Sequence, residues 1–156
     1  MHRLLQTKGK ILGIDYGDKR TGLAVSDPTR LLAFGIGCVS VGGMQKTAEK
    51  IYSVIKEQNI TGGIVIGLPV NMNGTEGQRA EHVRKFSRYV EKILSGDERA
   101  RLLPIIMLDE RMTTMEASRY LNETDTKGAK RKGVIDSLSA QIILQNALDS
   151  LKYMKS

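Results

Sequence analysis

Short apolar runs of strand length alternate along this chain with longer stretches of helical spacing, and their order is the first guide to architecture. Lys10-Ile11-Leu12-Gly13-Ile14-Asp15-Tyr16 is closed by Gly17-Asp18; after Lys19-Arg20 a second run, Thr21 to Ser26, ends at Asp27-Pro28, which predicts a β-hairpin. Leu31 to Val41 supplies a third strand, where Gly35 and Gly37 mark a bulge or a close backbone approach. From Met44 the pattern turns helical, with Met44, Ala48, Ile51 and Ile55 on one side until Asn59 stops it. Gly63 to Leu68 is continuously apolar, as expected of a strand buried on both faces in a parallel sheet, and Pro69 ends it. Thr75 to Ser95 places Ala80, Val83, Phe86, Val90 and Leu94 on one side and Arg, Lys and Glu on the other, an amphipathic helix. Pro104 to Leu108 reads as another buried strand. Thr113 and Glu116 form a capping box for a helix reaching about Leu121. Asn122 to Gly133 is polar and reads as a flexible basic loop, and a last helix is expected from about Val134 to Leu151.

Three strands joined by hairpins, then helix, strand, helix, strand, helix and helix, call for an α/β protein with a five-stranded mixed sheet and helices on its faces. With 156 residues and no internal repeat or linker, the expectation is a single domain spanning 1–156.

Composition narrows the function. Apolar residues make up 40 % of the chain and charged ones 26 %, which excludes disordered and collagen-like classes. Lys and Arg number 24 against 17 Asp and Glu, a net charge of +7, so the expected partner is a polyanion: nucleic acid ahead of an anionic membrane. The longest apolar run, Leu31 to Val39, falls well short of the ~20 residues a membrane span needs, so no membrane is expected. The first eight residues lack the features of a secretory signal, and the expected location is the cytoplasm. Cys38 has no disulfide partner in the chain, and His2 and His82 are too few for a zinc cluster; Cys38 reads as a small buried hydrophobe.

Three acids carry the chemistry. Asp15 ends what should be a central strand, where an unpaired carboxylate costs several kcal/mol; Gly17 leaves room for a phosphate or another backbone, and Lys19 and Arg20 bring positive charge. Asp109-Glu110 follows Ile105-Ile106-Met107-Leu108, at the carboxyl end of a strand, where open α/β sheets place their sites. Asp136 shares a helix face with Ala140, Ile143 and Ala147, and the small residues let that helix lie close to the sheet. Each also has a plainer reading: a turn acid, a solvated Asp-Glu-Arg triplet, and an acid favoured by the helix macrodipole. Together they form a hard-oxygen set suited to Mg²⁺ or Mn²⁺, and two-ion phosphodiester hydrolysis is the chemistry such sets support. Gly67 to Thr75, between a strand end and a helix start, offers Asn71, Thr75 and backbone amides to a phosphate. No G-x-x-x-x-G-K-[ST] motif is present, which excludes the P-loop class.

Four blocks then carry a resemblance over nearly the whole chain: Gly13 to Asp27; Gly67-Leu68-Pro69 with Asn71 and Gly74 to Gly77; Asp109 to Thr114; and Ile135 to Gln145. In them the chain resembles the YqgF/RuvX family, whose fold is similar to RNase H and whose members are described as Holliday junction resolvases or pre-16S rRNA-processing nucleases. Asn73, Gln78 and Ser139 depart from the family pattern, none of them at an acid. The resemblance implies metal-binding, catalytic acids at Asp15, Glu110 and Asp136, with two Mg²⁺ or Mn²⁺ ions. It also implies a structured-RNA substrate, the 5′ end of pre-16S rRNA, encountered in ribosomal precursor particles. In that reading Arg20 and Arg111 contact phosphate or orient the acids, and Lys127, Lys130, Arg131 and Lys132 hold the nucleic-acid backbone. Branched DNA is the alternative substrate, and monomer or weak homodimer the expected state, since a resolvase needs a symmetric pair of sites. A scaffold that binds nucleic acid without cutting it is a further alternative. An actin-like ATPase needs two such domains and is disfavoured by length.

Overall fold

The β1 strand (Ile11–Asp15) lies at the centre of the sheet because it is apolar on both faces, and its neighbours cover both of its edges. The computed structural model describes residues 1–110 and 129–155, with backbone alone for 129–136. Its strands are β1, β2 (Thr21–Ser26), β3 (Ala33–Val39), β4 (Gly63–Leu68) and β5 (Ile105–Asp109), in the order β3-β2-β1-β4-β5. The β1, β2 and β3 strands form an antiparallel meander, and β4 and β5 run parallel to β1. The sheet is therefore mixed, as the order of apolar runs predicts. The carboxyl ends of β1, β4 and β5 consequently emerge along one edge.

Among the described residues four α-helices accompany the sheet: α1 (His2–Leu5), α2 (Met44–Glu57), α3 (Gln78–Leu94) and α4 (Ala129–Lys155). On one face α2 and α3 bury Ala48, Ile51, Ile55, Val83, Phe86 and Val90 against Leu12, Ile14, Ile64 and Ile66. On the other, α4 buries Ala140, Ile143, Leu144, Ala147 and Leu148 against Ile11, Ala24, Ala33 and Val65. Each fully buried aliphatic side chain contributes roughly 1.5–3 kcal/mol by area, so β4, buried along its entire length, is a principal staple of both layers. The α4 helix sits low because the strands beneath it are small. A methyl group at Gly13 would stand 2.7 Å from Leu144 Cβ, and one at Gly35 would stand 2.2 Å from Ser137 Oγ. The bulge expected near Gly35 and Gly37 is present, as a register shift opposite Leu23 and Ala24.

Several sequence expectations are corrected. The second long helix starts at Gln78, not Thr75, because residues 71–75 close on themselves through hydrogen bonds described below. The last helix starts at Ala129, so Lys130, Arg131, Lys132 and Gly133 are helical, not loop; Ala, Lys and Arg are strong helix formers, and one glycine costs only about 1 kcal/mol. Cys38 is exposed, not buried. It lies on the edge strand β3, beyond the bulge and paired on one side only, and Phe34 and Ile36 of the same strand are likewise 50 % and 37 % exposed. The helix expected from Thr113 to Leu121 lies outside the described residues. Among the described residues no helix is long and apolar enough to cross a membrane.

Candidate active site

Pleating decides where Asp15 points. Tyr16, the next residue, stacks on Phe86 of α3 with ring centroids 4.2 Å apart, and Gly13, two residues earlier, lies beneath Leu144 and Ala140 of α4. Successive strand side chains alternate between faces, so Asp15 belongs to the α4 face. Ile14 is in register with Ile66, which puts Asp15 beside Gly67 at the end of β4. Gly17 completes the turn: a methyl group there would stand 2.5 Å from the Arg20 carbonyl oxygen. The room the glycine leaves is thus taken by backbone, not by a phosphate.

Glu110 follows directly after β5 and reaches back across β4. A methyl group at Gly67 would meet Glu110 Oε1 at 2.7 Å and Ile143 Cδ1 of α4 at 2.5 Å. Gly67 thus leaves the hollow that Glu110 occupies, on the face to which Asp15 belongs. Burial pushes the Glu110 pKa above the ordinary glutamate value; Arg79 opposes the shift and Asp109 adds to it. A half-buried acid held towards its neutral form is a configuration that a bound cation relieves.

Beside Glu110 opens a cleft of about 410 Å³ whose lining includes Pro69, Asn71, Gly77 and Arg79. Its outer wall is the loop between β4 and α3. Thr75 Oγ1 donates to Asn73 Oδ1 at 2.6 Å and accepts from Asn71 Nδ2 at 3.1 Å, while the Asn71 amide donates to the Thr75 carbonyl at 2.9 Å. Arg84 grips Glu76 with two hydrogen bonds of 2.6 and 2.8 Å. On the other side His82 Nδ1 lies 3.8 Å from Asp18 Oδ1, joining α3 to the β1–β2 turn.

Two carboxylates, from the ends of the strands that flank β4, thus belong to one face of a mixed five-stranded sheet. The RuvX family model, described as Holliday junction resolvase, matches residues 9–150. The chain belongs to this family. A relative from Thermoanaerobacter pseudethanolicus, named "Putative pre-16S rRNA nuclease", is 43 % identical over 92 % of this chain and 98 % of its own length. A relative of the same name from Ruminiclostridium cellulolyticum is 41 % identical over 91 % and 95 %. Among solved structures, the Fowlpox virus resolvase in complex with Holliday junction DNA matches with a TM-score of 0.56 at 9 % identity, covering 91 % of this chain and 98 % of that one. RuvC of T. thermophilus in complex with a Holliday junction substrate matches at 0.51 and 13 %, covering 92 % and 96 %. These likenesses establish the fold, which is RNase H-like.

Of the acids the family reading names, the structure brings Asp15 and Glu110 to one edge and one face of the sheet. Asp136 lies on α4, one turn ahead of Ala140, and its side chain falls outside the described set. Among the described residues, to which the Asp136 side chain does not belong, no group of three or more His, Cys, Asp or Glu is placed to hold a metal ion. Two hard oxygen donors nonetheless fit Mg²⁺ or Mn²⁺ by type. Arg20 adjoins Asp15 through the turn, Asn71 lines the cleft, and Thr75 ties its wall. Arg111 and Lys127, and the side chains of Lys130, Arg131 and Lys132, lie outside the described set. Sequence reasoning passed over Arg79. The signal that finds it is helical phase: Arg79, Val83, Phe86 and Val90 follow the i, i+4, i+7, i+11 rule, so an arginine occupies a core-facing position at the very start of α3.

Proposed function

We propose that this chain is a metal-dependent nuclease that hydrolyses phosphodiester bonds and trims the 5′ end of pre-16S rRNA in ribosomal precursor particles in the cytoplasm. The observation that carries this reading is the approach of Glu110 over Gly67 beside Asp15, at the edge where three parallel strand ends meet. Asp15, Glu110 and Asp136 would hold divalent ions there. Ions so held supply an activated water and stabilise the leaving oxygen of a phosphodiester. The protein's own part is positional: the sheet holds Asp15, and the missing side chain at Gly67 leaves the hollow in which Glu110 lies. A net charge of +7 attracts the polyanionic substrate.

The second reading is cleavage of branched DNA. It is favoured by the family description and by the likeness in fold to two resolvases, and it would require a homodimer to place two sites symmetrically. One competition assay separates the readings: purified protein and its Asp15→Asn variant, Mg²⁺ or Mn²⁺, and equimolar labelled pre-16S leader RNA and four-way DNA junction. Asp15-dependent loss of the RNA supports the processing nuclease. Paired symmetric cuts in the junction support the resolvase, and binding without a metal-dependent cut overturns both.

A further inference from the structure

We propose that Arg79 is a substrate-binding residue that takes a backbone phosphate of the nucleic acid in the cleft beside Glu110; this inference rests on the nuclease reading above and extends it. Three observations lead there. The first is phase. Val83, Phe86 and Val90 are 3 %, 0 % and 0 % exposed, and the helix spacing that buries them aims residue 79 the same way. Arg79 is nevertheless exposed: it stands in the first turn of α3 and lines the cleft. A core-facing position at a helix start ordinarily takes an apolar residue that closes the layer, and an arginine there leaves the layer open at the cleft.

The second observation is the company Arg79 keeps. It lines the same cleft as Glu110 and Asn71, and its charge is felt by the Glu110 carboxyl, whose pKa it lowers against the larger effect of burial. It forms no ion pair among the described residues. Arg84, five residues along the same helix, is the contrast: its guanidinium is committed to Glu76. Arg79 thus keeps a planar, multi-donor cation next to an acid without being neutralised by it.

The third is chemical complementarity. A guanidinium presents two parallel N–H donors that match two phosphate oxygens. Placed next to a carboxylate proposed to hold a cation, it would bind the phosphate flanking the scissile bond and fix the strand relative to Glu110. The first turn of the 17-residue α3 helix adds partial positive charge in the same direction.

The experiment compares wild type, Arg79→Gln, Arg79→Lys and Asp15→Asn. Binding of pre-16S leader RNA is followed by fluorescence anisotropy in Ca²⁺ over a salt series, cleavage in Mg²⁺ is followed under single-turnover conditions, and Tm is recorded for each. Because Arg79 is exposed, Tm should be unchanged in both of its variants. Arg79→Gln should weaken binding about tenfold and lower the slope of log K against log salt by about one, and Arg79→Lys should restore the slope and part of the affinity. Unchanged affinity and slope in Arg79→Gln would overturn the proposal, whether or not cleavage falls, since a loss of cleavage alone would mean that Arg79 acts on Glu110. Wild type that binds and fails to cut would sink the nuclease reading, while the binding comparison would still decide Arg79. Wild type that binds no nucleic acid would overturn both.

Discussion

Tyr16 and Phe86 stack with their rings 4.2 Å apart and 16° from parallel, and this contact turns the preceding residue, Asp15, to the opposite face. The stack therefore fixes the pleat that aims the acid. Tyr16→Phe keeps the ring and should match wild type in Tm and cleavage. Tyr16→Ala forfeits the ring pair, worth about 0.5–1.5 kcal/mol beyond its area, and should lower cleavage by more than the loss of folded protein explains. Circular dichroism melts run beside single-turnover rates check this; parallel losses in the two would refute it.

Gly67→Ala tests the hollow directly. The added methyl meets a Glu110 oxygen and the tip of Ile143, both at the ends of side chains that can swing away. Overpacking of this kind costs about 1–3 kcal/mol, or several degrees in Tm for a chain this size. Cleavage should fall much further, ten- to a hundredfold, because misplacing a reacting group by about 1 Å costs on that order. A variant with full activity would show that Glu110 does not need the space.

Glu110→Gln carries a signature in pH. The folded protein raises the Glu110 pKa through burial, so the folded state binds the proton more tightly than the unfolded chain does. Stability associated with this group is then fully present below the ordinary glutamate pKa and declines as pH rises through the higher folded value. In EDTA the glutamine variant should melt higher than wild type at pH 7, the gap closing towards pH 4, while metal-dependent cleavage is lost. A lower melting point at pH 7 would be the contrary result.

Asp27 runs the other way. Backbone amides of Leu32, Leu31 and Thr29 and the Thr29 hydroxyl donate to its carboxylate, and its pKa falls to about 2. A depressed folded pKa contributes stability above the unfolded value, near 4, that is lost as pH falls towards 2. Asp27→Asn should therefore melt below wild type at pH 6 and converge with it between about pH 4 and pH 2. Thermal melts at four pH values suffice, and a constant gap would rule out the carboxylate as the cause.

What could be read from the residues follows from what fixes them. Gly63 to Leu68 is apolar throughout and could only be a doubly covered strand, and its ends match the observed β4. Asp15 and Glu110 stand out because acids at the ends of apolar strands are costly, and the sheet order puts them on the two strands that flank β4. Cys38 misled because its burial depends on which strand lies at the sheet's edge, a property of topology that local composition does not carry. Lys130 to Gly133 misled because charge was read as loop where helix propensity prevailed. Arg79 was hidden among other basic residues of α3, and only its phase against Val83 and Phe86 sets it apart.

The exposure of Cys38 has a practical consequence. Asp15 pairs with Gly22 and Gly22 with Cys38, so the chain's one thiol stands in the same transverse row as the candidate acid, two strand spacings or about 10 Å away. A nitroxide coupled there would lie well inside the range over which a paramagnetic ion broadens its spectrum. Added Mn²⁺ would then report occupancy near Asp15 in real time, with no substrate present, which makes the sheet itself a ruler.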